Sequence, residues 1–257
     1  MKNMLRSLLV GALLGSLTGQ VVAADQIVFG IALEPYPPFS MKSGNGDWSG
    51  FEPELIEALC ERMQAQCPLK EVAWDGLIPA LQSNQIDAIL NSLSITEERQ
   101  KVIDFSEPYY QTPAMWVADR SRELLTTPEG LEGKLIGVQG STSNATFAKT
   151  YYGKTSTLRY YSTQDDMIAD LQSGRIDVML ADALTVEPIL KSAAGAGLAD
   201  KGLAPSDPLF GSGIGVAMRK GESALQQRIN TALASLKTDG TYDRIRSRYF
   251  SIDISAH

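Results

Sequence analysis

The chain has 257 residues, of which 44% are hydrophobic, and its formal net charge is −7. This length and apolar content suffice for one large domain or for two lobes of about 100 residues each. The negative charge argues against nucleic acid and anionic membrane surfaces as partners, because both would repel the chain.

The N-terminal residues have the three-part pattern of a secretory signal peptide. Lys2 and Arg6 precede a mostly apolar stretch at 7–18, and the small residues Ala23 and Ala24 follow. The apolar stretch is shorter than the about 20 residues that a membrane-spanning helix needs. We therefore expect a signal peptide at 1–24, cleavage near Ala24 and export to the periplasm without a membrane anchor.

Strand-like and helix-like patterns alternate in the first third of the exported chain. Short apolar runs predict strands, whereas apolar residues spaced three and four apart predict helices. The predicted strands are 27–31, 69–73 and 86–90, and the predicted helices are 51–64 and 75–83. These repeated β-α-β units indicate an α/β fold with a mainly parallel sheet flanked by helices.

A second series of the same kind begins after Pro113. Strands are predicted at 135–138, 158–161 and 174–180, and helices at 141–150 and 163–173. The phrases LQSNQIDAIL (81–90) and LQSGRIDVML (171–180) repeat the same order of helix end, polar turn and strand. This internal repeat predicts two similar lobes.

The last part of the chain contains a predicted strand at 211–218 and predicted helices at 222–237 and 240–250. The extended apolar stretches 114–118 and 214–218 are expected to cross between the lobes, the first outward and the second returning. Lobe 1 would then comprise residues 25–113 and 212–257, and lobe 2 residues 114–211. A cleft would separate the two lobes.

The chain contains two cysteines, Cys60 and Cys67. An exported protein enters an oxidising compartment, so we expect them to form a disulfide at the end of the first helix. Because the one histidine is the C-terminal His257, we expect no metal site and no cofactor.

Polar side chains follow the strand predicted at 86–90. They are Asn91, Ser92, Ser94 and Thr96. Arg99 adds a guanidinium fork that matches a carboxylate or phosphate. Two interpretations fit: a pocket for a small anionic or zwitterionic group, or a loop in which Thr96 caps a short helix and Arg99 points to solvent. Ligands of open α/β sheets bind beyond the carboxyl ends of strands, where this stretch and Asp182 both lie.

Short motifs occur in order along the chain. They are YPPF at 36–39, GFE at 50–52, WDGLIP at 74–79, SLSIT at 92–96, DFS at 104–106, GST at 140–142, GRID at 174–177 and DGTY at 239–242. With Arg99 and Asp182, this set resembles the periplasmic solute-binding proteins of polar amino-acid ABC transporters, above all those that bind lysine/arginine/ornithine and histidine. The resemblance implies a monomeric two-lobed clamshell with two crossing hinge strands. It would close on one free amino acid and deliver it to membrane permease subunits.

The resemblance also implies how the two ends of the amino acid are held. Arg99 of lobe 1 would bind the α-carboxylate, helped by the hydroxyls of Ser94 and Thr142. Asp182 of lobe 2 would accept hydrogen bonds from the α-ammonium, together with Ser92. A ligand that contacts both lobes stabilises the closed state.

Acidic and aromatic side chains favour a cationic ligand side chain: arginine, lysine, ornithine or histidine. Tyr36 and Trp74 would stack on it, and Glu52 matches one acid of the family pattern. The second acid is ambiguous, because Leu33 occupies the strict offset from Tyr36 and Glu34 lies beside it. The full set of expected ligand-binding residues is Glu34, Tyr36, Glu52, Trp74, Asn91, Ser92, Ser94, Arg99, Ser141, Thr142 and Asp182.

Two other functions compete with transport of a cationic amino acid. One is an exported enzyme on the same scaffold, such as a cyclohexadienyl dehydratase, with Glu34 or Glu52 as acid or base. The other is a soluble sensor subunit. An opine or a neutral polar amino acid would require one of the two acids to point away from the ligand.

Overall fold

The computed structural model describes residues 25–256, so the expected signal peptide and its cleavage site lie outside the described residues. The strands are β1 (Asp25–Gln26), β2 (Phe29–Ala32), β3 (Met41–Lys42), β4 (Trp48–Ser49), β5 (Ala65–Gln66), β6 (Leu69–Val72), β7 (Ala88–Ile89), β8 (Ile103–Phe105), β9 (Ala114–Asp119), β10 (Leu135–Gln139), β11 (Thr157–Tyr161), β12 (Val178–Asp182), β13 (Leu198–Leu203) and β14 (Ala217–Arg219). The α-helices are α1 (Phe51–Met63), α2 (Leu77–Gln82), α3 (Glu97–Gln100), α4 (Ser143–Tyr152), α5 (Gln164–Gln172), α6 (Ala183–Leu190), α7 (Ser223–Thr238) and α8 (Thr241–Tyr249). None of these helices is long and apolar enough to cross a membrane.

Two five-stranded sheets share one plan. In the first sheet the order is β6-β2-β7-β14-β8, and in the second it is β11-β10-β12-β9-β13. In each sheet the first three strands run parallel to one another. The fourth strand pairs antiparallel with both of its neighbours. The fold is thus the expected two-lobed α/β architecture, and the repeated phrase of the sequence supplies β7 in one sheet and β12 in the other.

The aspartate of the repeated phrase has the same structural role in both sheets. Asp87 accepts a hydrogen bond from the backbone N–H of Val28 at 2.9 Å, and Asp177 accepts one from Leu135 at 2.9 Å. Each carboxylate therefore satisfies a backbone donor beside the central strand of its sheet, which explains why the phrase contains an acid just before each strand.

A glycine in the strand next to each central strand allows the turn before the central strand to pack closely. A Cβ placed on Gly30 would lie 2.4 Å from Cδ1 of Ile86, and one on Gly137 would lie 2.4 Å from Cδ1 of Ile176. Both isoleucines belong to the repeated phrase. Close packing at these positions requires the absence of a side chain.

Helices pack on both sheets. On one face of the first sheet, α1 and α7 form a core through Phe51, Leu55, Leu59, Leu233 and Leu236. The predicted disulfide is present and joins Cys60 in α1 to Cys67 just after β5. It ties the carboxyl end of α1 to the segment between β5 and β6.

The chain passes between the sheets twice, once between β8 and β9 and once between β13 and β14. Here the structure refines the expectation of two crossing strands, because β9 belongs wholly to the second sheet and β14 to the first. The returning strand starts only at Ala217, since Gly211 and Gly213 have φ angles of 85° and 123° that interrupt extended backbone. An antiparallel bridge between Tyr110 and Ile214 holds the two passages together.

Besides the two-residue strands β1, β3, β4 and β5, the predicted series lacked β8, β13 and α6. One of the six residues of β13 is buried, and the sequence of this edge strand lacks a continuous apolar run. Helix α6 contains Pro188, a residue that argues against a helix in a sequence pattern. All strands of the first sheet lie within 25–113 and 212–257 and all strands of the second within 114–211. On this ground we propose these ranges as lobe 1 and lobe 2.

Candidate functional site

The carboxyl ends of β2, β10 and β12 face a common cavity between the lobes. Lobe 1 contributes Ala32, Glu34, Pro35, Tyr36, Trp74, Asn91, Ser92, Ser94 and Arg99, and lobe 2 contributes Gln139, Thr142, Ser143, Asn144, Gln164, Met167, Leu180, Ala181 and Asp182. Nine of the eleven expected site residues are in this lining, and Glu52 and Ser141 are not.

Arg99 reaches the cavity from the short helix α3. Thr96 caps this helix and accepts a hydrogen bond from the Arg99 backbone N–H at 3.3 Å, as one of the two interpretations expected, yet the guanidinium turns into the cavity. Its Nη1 donates to the Ser94 carbonyl and its Nη2 to the Ser141 carbonyl, both at 2.9 Å. Burial lowers the pKa of Arg99 to about 10, against the attraction of Asp182, so the group stays charged at neutral pH.

Further hydrogen bonds join the lobes beside Arg99. The Trp74 Nε1 donates to the Gly140 carbonyl at 3.0 Å, and the Ser94 and Ser143 hydroxyls are 3.2 Å apart. The centre of the Trp74 ring is 5.9 Å from the Arg99 guanidinium carbon, within range of a cation–π contact. The structure therefore has the lobes closed around the cavity.

Asp182 stands at the end of β12 on the lobe 2 side. Its Oδ1 accepts from Nδ2 of Asn144 at 2.9 Å, and its Oδ2 accepts from the hydroxyl of Tyr36, across the cleft, at 3.0 Å. Burial raises the pKa of Asp182, and these hydrogen bonds and the charge of Arg99 oppose the rise only in part. A buried carboxylate in this state would gain most from a cation placed in the cavity.

Glu34, and not Leu33, faces the cavity. The Leu33 side chain is 46% exposed on the outside of the same loop. One carboxylate oxygen of Glu34, Oε2, is buried without a hydrogen-bond partner. Among the lining residues the ionisable charges are those of Glu34, Arg99 and Asp182, so the cavity wall carries a net charge of −1.

Glu52 was expected to contact the ligand, but the structure places it behind the cavity wall. It is fully buried in the first turn of α1, whose inner face packs into the core of lobe 1. Its Oε1 accepts from the Ser92 backbone N–H at 2.6 Å, the Ser92 hydroxyl at 3.1 Å and the Tyr109 hydroxyl at 2.6 Å. The sequence indicates an acid at this position, but it does not show whether the Glu52 side chain points to the cavity or to the core of lobe 1.

Ser141 also differs from its expected position. Its backbone has a φ angle of 59° and its side chain borders a surface groove beside α3 instead of the cavity. Only its carbonyl acts at the site, where it accepts the hydrogen bond from Arg99. Its neighbour Thr142 lines the cavity and caps α4, accepting from the Ala145 backbone N–H at 3.0 Å.

The family described as bacterial extracellular solute-binding proteins, family 3, matches residues 27–252. The chain belongs to this family. An L-arginine-binding protein of Pseudomonas aeruginosa is 40% identical over 252 residues, which are 95% of this chain and 97% of the relative. The lysine/arginine/ornithine-binding periplasmic protein of Escherichia coli is 39% identical over 222 residues, 85% of each chain.

Comparison with a solved structure supports the solute-binding fold. An ancestral arginine-binding protein bound to arginine superposes with a TM-score of 0.80 at 33% identity, covering 88% of this chain and 98% of that one. These relatives are named as binding proteins, so family membership supports binding over the alternative of an exported enzyme. Within residues 25–256 no group of three or more potential metal ligands lies together.

Several lining residues of this solute-binding protein were missed by the sequence reasoning. They are Gln139, Ser143, Asn144 and Gln164. Asn144 and Gln164 are both buried and lie in the first turns of α4 and α5. Polar residues at such positions are common in helices that have no ligand, but the start of a helix directly after a parallel strand is a usable signal.

The buried carboxylate of Glu52 should make the stability of the protein pH-dependent. Burial raises the pKa of Glu52 from 4.5 to about 7, while its three hydrogen-bond donors oppose the rise. The folded state therefore binds more protons between these values, and the free energy of unfolding falls as the pH rises through this window. The full effect is at most about 3 kcal/mol.

Denaturant titrations at several pH values between 4.5 and 8, without ligand, test this expectation. Glu52→Gln should reduce the fall in the free energy of unfolding, leaving the contribution of other groups such as Asp182. An equal pH dependence in the variant and the wild type would contradict the assignment to Glu52.

Proposed function

We propose that the protein binds a free cationic amino acid in the periplasm, with L-arginine as first candidate, and delivers it to the permease subunits of an ABC transporter. The observation that carries the proposal is the charge of the cavity wall: two carboxylates and one guanidinium. A zwitterion matches one carboxylate and the guanidinium. The remaining carboxylate then requires a positive charge on the ligand side chain.

The positions of the groups support one orientation of the ligand. The α-carboxylate would lie at Arg99, whose guanidinium is already oriented by two carbonyls. The α-ammonium would lie at Asp182, and the side chain would extend toward Glu34. The rings of Tyr36 and Trp74, both in the cavity wall, would contact its alkyl part.

Named relatives support the same ligand class. Arginine-binding proteins are among the similar chains in sequence and in structure, and the two examples above reach 40% and 33% identity. The lysine/arginine/ornithine-binding relative points to the same chemistry with a less restricted side chain. We therefore rank arginine before lysine and ornithine.

A thermal-shift screen followed by calorimetry tests the proposal. A ligand that binds only the folded state raises the melting temperature, by an amount that grows with its concentration relative to Kd. L-arginine, L-lysine, L-ornithine and L-histidine are compared with L-glutamine, L-citrulline and an opine. A stronger shift with glutamine or an opine than with every cationic amino acid would overturn it.

Glu34→Gln should change selectivity. L-citrulline has the shape of L-arginine but a neutral side chain, so the lost carboxylate should matter only for arginine. We expect affinity for L-arginine to fall by about 2 kcal/mol, while affinity for L-citrulline stays nearly constant. Calorimetry with both ligands measures the ratio of the Kd values.

Leu33→Ala is the matched control on the same loop, since Leu33 is turned outward. It should leave both Kd values unchanged. Equal losses for arginine and citrulline in Glu34→Gln would show that Glu34 does not face the ligand's cationic group.

A further inference from the structure

Glu52 makes contacts that are directed at one residue of the cavity wall. Two of the three donors to its Oε1 belong to Ser92, through the backbone N–H at 2.6 Å and the hydroxyl at 3.1 Å. Ser92 itself lines the cavity. The carboxylate thus reaches the ligand site through a single intervening residue.

These contacts determine which kind of hydrogen bond Ser92 can make with a ligand. A hydroxyl has one hydrogen and two lone pairs. Because the Ser92 hydrogen is used by Glu52, the oxygen is left with lone pairs only. Toward the cavity, Ser92 is therefore an acceptor, as a ligand ammonium group requires.

The backbone of Ser92 is also held by the same carboxylate. Its φ angle is 51°, in the left-handed region that residues other than glycine seldom adopt. The hydrogen bond from its N–H to Glu52 stabilises this conformation. Asn91, immediately before it, is fixed separately, because its side chain accepts from the backbone N–H of Ala32.

We propose that Glu52 is a positioning residue that fixes Ser92 as a hydrogen-bond acceptor for the α-ammonium group of the bound amino acid. Ser92 then acts from lobe 1 on the same group that Asp182 binds from lobe 2. The inference rests on the proposed function, since it needs an amino acid in the cavity.

The neighbours of Glu52 are consistent with this role. The ionisable groups that face it are the hydroxyls of Tyr36, Tyr109 and Tyr110. Burial raises the pKa of all three well above the usual value, so they remain neutral. Tyr109 also donates a hydrogen bond to Oε1 of Glu52.

The test compares two ligands that differ only in the α-amino group: L-arginine and 5-guanidinopentanoate. Calorimetry gives their Kd values for the wild type and for Glu52→Leu, which has no acceptor. We expect Glu52→Leu to weaken L-arginine binding about tenfold or more and 5-guanidinopentanoate binding much less. Glu52→Gln, which keeps an acceptor oxygen, should restore most of the affinity.

Two further variants keep the test decisive if Glu52→Leu does not fold. Glu52→Asp is one methylene shorter, retains the charge and withdraws the carboxylate from Ser92, so it should give the same selective loss. Ser92→Ala should reproduce the loss by itself and add little to that of Glu52→Asp. Equal losses for the two ligands, or fully additive losses in the double variant, would overturn the inference.

The wild type separates this inference from the proposed function. If it fails to bind L-arginine or another cationic amino acid, the proposed function is wrong. If it binds L-arginine and the Glu52 variants show no preference between the two ligands, only the positioning role of Glu52 is wrong.

Discussion

Arg99→Ala is expected to weaken L-arginine binding by about 3 kcal/mol or more, roughly a hundredfold or more in Kd. Among residues 25–256, Arg99 has the one positive side chain that lines the cavity. Without it, the carboxylate of the ligand would be buried without a charged partner. The same change removes the hydrogen bond from Nη2 to the Ser141 carbonyl in lobe 2. Both effects disfavour the closed, liganded state, and isothermal titration calorimetry measures their sum.

Two controls separate charge from geometry and from general damage. Arg99→Lys keeps the charge but not the planar fork, so an intermediate loss is expected. Arg175→Ala removes an arginine of lobe 2 that pairs with Asp170 outside the cavity, and it should leave Kd unchanged. A near-normal affinity of Arg99→Ala for L-arginine would contradict the proposed contact between Arg99 and the ligand carboxylate.

Asp182→Asn is expected to weaken L-arginine binding by about 2 kcal/mol or more without lowering the stability of the ligand-free protein. Burial raises the pKa of Asp182, so its ionised form costs free energy in the empty cavity. Since the folded pKa exceeds the unfolded one, this cost develops as the pH rises through the raised pKa. A neutral amide does not have this cost, but it also lacks the charge that the ligand ammonium needs.

Paired measurements distinguish this result from simple unfolding. At pH 7 to 8 the ligand-free variant should melt at the same temperature as the wild type or higher, while calorimetry shows the weaker binding. Asp165→Asn, an exposed acid on α5 in the same lobe, is the control and should change neither quantity. A lower melting temperature of Asp182→Asn with an unchanged Kd would contradict both the free-energy cost of the ionised Asp182 and its contact with the ligand ammonium.

The sheets and the cavity edge were accessible from sequence because they depend on periodic and local signals. Apolar runs gave the central strands, and the rule that ligands bind beyond strand carboxyl ends placed Arg99 and Asp182 at one site. The edge strand β13 was not predicted, because it has few buried side chains and therefore no continuous apolar run in the sequence.

Side-chain direction was much less accessible. Glu34 and Glu52 are both acids near the start of lobe 1, yet one lines the cavity and the other is buried behind it. The difference depends on how a loop and a helix are rotated against the sheet, which tertiary packing decides. Asn144 was not predicted because its role depends on tertiary packing: it donates a hydrogen bond to Asp182, which is 38 residues away in the sequence.

The Trp74 indole donates a hydrogen bond to Gly140 in the other lobe, so its fluorescence should report whether the two lobes are closed. The chain has three tryptophans, at 48, 74 and 116, all within the described residues. Trp116 is completely buried inside lobe 2, and Trp48 donates to Glu71 within lobe 1. Only the emission of Trp74 should therefore change when the lobes separate, and stopped-flow fluorescence of the unlabelled protein can time each opening and closing.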